Sequence, residues 1–153
     1  MKRLLAILLL LIPALASAAS LQPLSAADVP ALLQPPAHGA RIIALWSLDC
    51  AYCESNLEAL ATLQRARPQS IELITVTTDD IAQRPAIEAR LRNMKMATYP
   101  ARAYAEASPE RINFLIDPSW GGETPRVLVI RADGGRTGIS GALTPAQLQK
   151  FGR

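Results

Sequence analysis

The stretch LWSLDCAYCESNLEAL, residues 45–60, contains both cysteines of the chain, Cys50 and Cys53, where an apolar run gives way to a helical pattern. Ahead of the pair, RIIALWS (residues 41–47) is short and apolar, which predicts a buried strand. Behind it, Leu57, Leu60, Ala61 and Gln64 keep a helical period as far as Arg67, and Pro68 stops it. The pair therefore falls where a strand passes into its helix. Free backbone N–H groups and the helix dipole stabilise a thiolate at such a junction, and a thiol there can fall from a pKa of about 8.5 to between about 3.5 and 7.5. Two cysteines three apart on one helical turn can close into a disulfide and reopen with little backbone movement. In that geometry the first is the exposed nucleophile and the second the buried resolving thiol, so Cys50 is expected to attack and Cys53 to resolve.

The meaning of paired cysteines depends on compartment. The chain begins MKRLLAILLLLIPALASAAS: Lys2 and Arg3, an apolar run over residues 4–16, then Ala16-Ser17-Ala18, which fits the small-x-small cleavage rule. The run is shorter than the roughly 20 residues a membrane-spanning helix needs. Residues 1–18 are expected to be a cleaved secretory signal peptide rather than an anchor, and the mature chain to be exported to the periplasm. Without Lys2 and Arg3, 13 acidic residues face 14 of the original 16 basic ones, and the net charge of +3 becomes about +1. Lys and Arg are scattered, whereas a nucleic-acid groove needs a focused basic patch, so no nucleic-acid partner is expected. With hydrophobic residues at 50% of the composition, the remainder can bury the core of one ordinary domain.

Residues 19–40 carry Pro23, Pro30, Pro35 and Pro36 and read as an irregular lead-in with one short helix around residues 26–33. IELITVTT (residues 71–78) predicts a second strand. DDIAQRPAIEARLRNMKM (residues 79–96) predicts a helix, or a helix pair broken near Pro85, with Ile87, Leu91 and Met94 on one face. A loop-rich zone is expected over residues 97–111, followed by INFLID and PSWGGETP. RVLVIRADGGRTGIS (residues 126–140) reads as a hairpin turning at Asp133-Gly134-Gly135, and LTPAQLQKF as a closing helix capped by Thr144 with Pro145 at its first position. This order implies an α/β domain over residues 41–153 whose first part is parallel.

A strand ending in a Cys-x-x-Cys, a later Thr124-Pro125 just before RVLVI, and a Gly-Gly hairpin with a C-terminal helix stand in the order of the thioredoxin-like superfamily, which residues 41–151 resemble. The signal peptide and the segment FLIDPSWGGETPRVLVI look most like the exported TlpA-like thiol:disulfide oxidoreductases. The resemblance implies a central mixed sheet flanked by helices, with a helical insert before the third core strand. It also implies a cis-proline at Pro125 beside the redox pair and a substrate chain held by Thr124 and Pro125. Trp120, in the adjoining Gly-rich loop, reads equally as core packing or as a further substrate contact. Tyr52, with threonine before the proline, resembles the periplasmic disulfide isomerases, whose separate dimerisation domain is not expected here.

The chain also departs from the superfamily. Asp49 replaces the tryptophan usual before the first cysteine, although Trp46 stands nearby, and Ala44 occupies the position of the buried acid. Asp49, Tyr52 and Glu54 are the candidates for redox tuning. Asp49 and Glu54 place negative charge beside the sulfurs, which opposes a thiolate and implies a moderate or reducing potential. Asp49 is equally suited to cap the helix.

Each of these features also has a bland structural reading. Zinc would need two further Cys or His ligands, and the only histidine is His38 in the lead-in. Haem attachment needs histidine where Glu54 stands. No metal or cofactor is expected. The reading is a periplasmic reductase that exchanges disulfides with protein thiols or disulfides and is recharged by a membrane electron-transfer protein. Its alternatives are a non-catalytic binding module with a structural disulfide and a periplasmic oxidase or isomerase.

Overall fold

The computed structural model describes residues 20–151, so the expected signal peptide, residues 1–18, lies outside them. Six strands form one mixed sheet: β1 (Leu21–Leu24), β2 (Ala40–Trp46), β3 (Ile71–Asp80), β4 (Ala101–Tyr104), β5 (Arg126–Arg131) and β6 (Arg136–Ser140), in the spatial order β1-β4-β3-β2-β5-β6. The first four run parallel, while β5 pairs antiparallel with both β2 and β6. The helices are α1 (Val29–Leu32), α2 (Cys53–Ala66), α3 (Arg84–Asn93), α4 (Pro109–Ile116) and α5 (Pro145–Phe151).

β2 lies at the centre, and its alternation sorts the core into two layers. Ile42, Ala44 and Trp46 pack with Leu57 and Leu60 of α2, Ile87 and Leu91 of α3, and Phe151 of α5. Ile43 and Leu45 pack with Leu24, with Val29 of α1, with Ile112 and Ile116 of α4, and with Leu128 and Ile130 of β5. A strand covered on both faces reads as a continuous apolar run, as residues 41–47 do. The expected α/β sandwich, with helices on both faces of a mixed sheet, is the observed architecture.

Within residues 79–96, Asp79 and Asp80 still belong to β3, and the single α-helix is α3, Arg84–Asn93. A short 3-10 turn, Ile81–Gln83, precedes α3, and Pro85 falls in the helix's first turn, where a missing N–H costs nothing. Ile87, Leu91 and Met94 are all buried. The closing hairpin and helix also form as expected, with Thr144 and Gln147 exchanging capping hydrogen bonds.

Two stretches differ from the sequence reading. The lead-in is not irregular throughout: β1 adds an edge strand beside β4, burying Leu21 and Leu24, and Pro23 is tolerated because an edge strand need not donate on its outer side. The zone over residues 97–111 contains β4 and the start of α4. β4 is four residues, ARAY, with no β-branched side chain, and its pairing with β3 and β1 on either side defines it. α4 is the helical insert before β5.

Candidate active site

β2 ends at Trp46, and residues 47–52 make the turn into α2. Cys50 and Cys53 form a disulfide across this turn, with Cα atoms 5.6 Å apart. Only Cys53 is helical. Cys50 lies ahead of the helix, its N–H directed at Ser47 O at 3.3 Å. Cys50 is 8% exposed and Cys53 1%. Cys50 is thus slightly more accessible than Cys53, but it is buried rather than the exposed residue the sequence predicts. The rim of the turn is Tyr52, which is 69% exposed.

Asp49 does not cap the helix. Tyr52 occupies that position without a side-chain cap, and the Asp49 carboxylate instead accepts the Ser47 hydroxyl at 2.8 Å. Glu54, in the first turn of α2, forms an ion pair with Arg90 of α3 at 3.5 Å. The negative charge expected beside Cys53 is therefore balanced by a guanidinium, and of the two acids expected to oppose the thiolate only Asp49 still does so unpaired.

Thr124-Pro125, immediately before β5, is a cis peptide. Its loop is tied to the redox turn through Ser47: Ser47 Oγ lies 2.9 Å from Thr124 Oγ1. On the other side of the turn, β3 bulges against β4 between Thr77 and Asp80, and a bulge re-aims side chains. Asp79, within that irregularity, accepts Leu48 N–H at 2.8 Å and the Thr77 hydroxyl. One turn into α2, buried Asn56 donates to Gly141 O and accepts from Leu143 N–H, both at 2.9 Å, which pins the segment between β6 and α5.

The loop over residues 117–125 is held by its own groups. The Trp120 indole donates to Glu123 O at 2.8 Å, and the ring is buried against the α4 face of the core, so it shapes the loop rather than presenting an open contact surface. Gly122 has φ +96°, which favours glycine, and a Cβ there would lie 2.6 Å from Asn113 Nδ2. Asn113 in turn accepts the buried Tyr104 hydroxyl, whose pKa burial pushes up. At the start of β5, Arg126 reaches Asp117 and the Ser140 hydroxyl, and Ser140 donates to Glu123. Partial burial raises the Asp117 pKa, but hydrogen bonds from the Ser119 hydroxyl and N–H and from Arg126 outweigh it, leaving the carboxyl below its ordinary value. Glu123 is lowered chiefly by the Ser140 hydroxyl.

Cys50, Cys53, Asp49 and the exposed Tyr52 thus share one turn, which Ser47 ties to Thr124 on the loop bearing Pro125, while Trp120 is buried in that loop and Glu54 is paired with Arg90. Ser47, Asn56, Asp79, Arg90 and Arg126 were not singled out by the sequence, because each acts through partners distant in the chain. A separate groove of about 910 Å³, lined among others by His38, Arg41 and Tyr99, lies at the opposite end of the sheet and holds no cysteine. Among the described residues no helix is long and apolar enough to cross a membrane.

No protein-family model matches the chain, and no curated protein matches it by sequence. Solved structures do. A thiol:disulfide interchange protein of the thioredoxin family from Chlorobium tepidum TLS superposes with a TM-score of 0.59 at 21% identity, covering 79% of this chain and 80% of that one. StoA from Bacillus subtilis gives 0.56 at 18%, covering 76% and 84%. A secreted Mycobacterium tuberculosis disulfide oxidoreductase homologous to E. coli DsbE gives 0.56 at 16%, covering 74% and 79%. At these identities the likeness is one of fold.

Proposed function

We propose that this chain, which has the thioredoxin-like fold, is a thiol:disulfide oxidoreductase acting on protein thiols and disulfides. The observation that carries the reading is the Cys50–Cys53 disulfide on a turn hydrogen-bonded, through Ser47, to the loop bearing the cis Thr124–Pro125 peptide. In the reduced protein the Cys50 thiolate attacks one sulfur of a substrate disulfide. A mixed disulfide forms and one substrate thiolate leaves. The Cys53 thiolate then attacks Cys50 Sγ, the second substrate thiolate departs, and the Cys50–Cys53 bond is restored, so two electrons pass to the substrate. Thr124 and Pro125 hold the substrate chain beside Cys50, and Tyr52 is the exposed rim it meets.

The direction is reducing, because the Asp49 carboxylate on the residue before Cys50 opposes the thiolate and so disfavours the reduced form that a strong oxidant stabilises. Residues 1–18 support export to the periplasm, where a reductant must be recharged by a membrane protein carrying electrons from the cytoplasm. Trapping tests the reading. Cys53→Ala should accumulate covalent mixed disulfides with periplasmic proteins on non-reducing gels, and Cys50→Ala should not. Absence of adducts in both would favour a binding module with a structural disulfide.

A further inference from the structure

Ser47 is buried at 8% exposure and meets both halves of the site. Its hydroxyl has one proton. An ionised Asp49 carboxylate only accepts, so at 2.8 Å that proton goes to Asp49 Oδ1. Ser47 Oγ therefore has nothing left to give Thr124, and the 2.9 Å contact between the two hydroxyls requires Thr124 to donate. The chain of donation runs from Thr124 through Ser47 to Asp49, ending on a charge that orients both hydroxyls. With its one proton committed inward, Thr124 Oγ1 can offer an approaching molecule only lone pairs. The Ser47 carbonyl, meanwhile, receives the Cys50 N–H at 3.3 Å, so one residue braces the sulfur-bearing turn by its backbone and the proline loop by its side chain.

We propose that Ser47 is a positioning residue for substrate engagement: it fixes Thr124 as a hydrogen-bond acceptor in register with Cys50, selecting extended polypeptide disulfides that present a donor such as a backbone N–H at that point. This rests on the oxidoreductase reading above. Ser47 acts through Thr124. A small disulfide without such a donor gains nothing from the arrangement.

The test is a double-mutant cycle with the reduced protein, using insulin as the polypeptide disulfide and 5,5′-dithiobis(2-nitrobenzoate) as the small one. Ser47→Ala should raise the KM for insulin about tenfold, the worth of one hydrogen bond to an oriented group, with kcat little changed. In a Thr124→Val background, where no hydroxyl remains to be oriented, Ser47→Ala should add less than about twofold. Ser47→Thr, which keeps the hydroxyl, should restore much of the insulin KM. Should Ser47→Ala fail to fold by its urea midpoint, Thr124→Val breaks the same contact from the loop side and should show the same rise in KM for insulin. Equal losses with and without Thr124, or equal losses on both disulfides, would make Ser47 merely structural and overturn the inference while leaving the oxidoreductase reading intact. A wild-type protein inert toward both disulfides would overturn that reading and the inference with it.

Discussion

Glu54 and Arg90 join α2 to α3 by an ion pair of 3.5 Å, on the residue directly after Cys53. Both side chains are partly exposed, and the pair cancels a negative charge that would otherwise act on the sulfurs. Arg90→Gln leaves Glu54 uncompensated. The reduction potential should fall by about 10 mV, the scale of a solvent-screened charge acting on a thiolate from several Å away. Equilibration with glutathione or dithiothreitol at low and high salt reads this directly, and the difference should shrink as screening rises.

Asp49 forms no ion pair among the described residues; its carboxylate takes the Ser47 hydroxyl. Asp49→Asn keeps an oxygen to accept that bond and removes only the charge. The Cys50 thiolate should become easier to form and the reduction potential should rise by about 20 mV, the scale of one charge several Å away in a partly solvated site. A potential that stayed put or fell would remove the electrostatic case for a reducing direction.

Local pattern made part of this molecule legible and left the rest dark. α2 has an apolar stripe of Leu57, Leu60 and Ala61 and a proline after its end, and β2 is a continuous apolar run, so both could be read from the chain. The Cys-x-x-Cys was placed correctly at their junction because its meaning depends on those two neighbours. β1 and β4 are four residues each and one contains a proline; only pairing with strands elsewhere in the chain makes them strands. The same holds within the site. Ser47 and Thr124 are 77 residues apart, and no periodicity brings a serine and a threonine together over that distance. Asp49 illustrates the converse: an acid just before a helix is a good cap by sequence, but the turn between Trp46 and Cys53 is long enough to give its carboxylate another donor.

Asn56 shows how stability and site geometry share residues. Its amide is buried at 4% exposure, and it satisfies one carbonyl and one N–H of the segment after β6. Asn56→Ala should cost about 2 kcal/mol by leaving both backbone groups without their partner. Asn56→Asp keeps the acceptor for Leu143 N–H but sets a carboxylate against Gly141 O, and should cost more at neutral pH. Urea denaturation of the three proteins checks the order, and a neutral Asn56→Ala would mean that water replaces the amide.

The proline loop should be the acid-sensitive part of the fold. Asp117 and Glu123, on either side of Trp120, both have carboxyl groups held below their ordinary values, Asp117 against the opposing effect of partial burial and Glu123 mainly by Ser140. Asp28, hydrogen-bonded to Ser25, is lowered as well. A carboxyl with a lower pKa folded than unfolded binds protons more readily in the unfolded chain, so protonation pulls toward unfolding. The contribution is complete above the unfolded carboxyl range of about 4 and is lost as pH drops through the folded values. The urea midpoint should therefore be flat from neutral pH to about 5 and decline below about 4. Asp117→Asn and Glu123→Gln should each lower the midpoint at neutral pH and flatten the acid decline. If either variant kept the wild-type slope, its carboxylate would have no part in holding the loop, and the hydrogen bonds of Ser119, Ser140 and Arg126 would be matched by water in the unfolded chain.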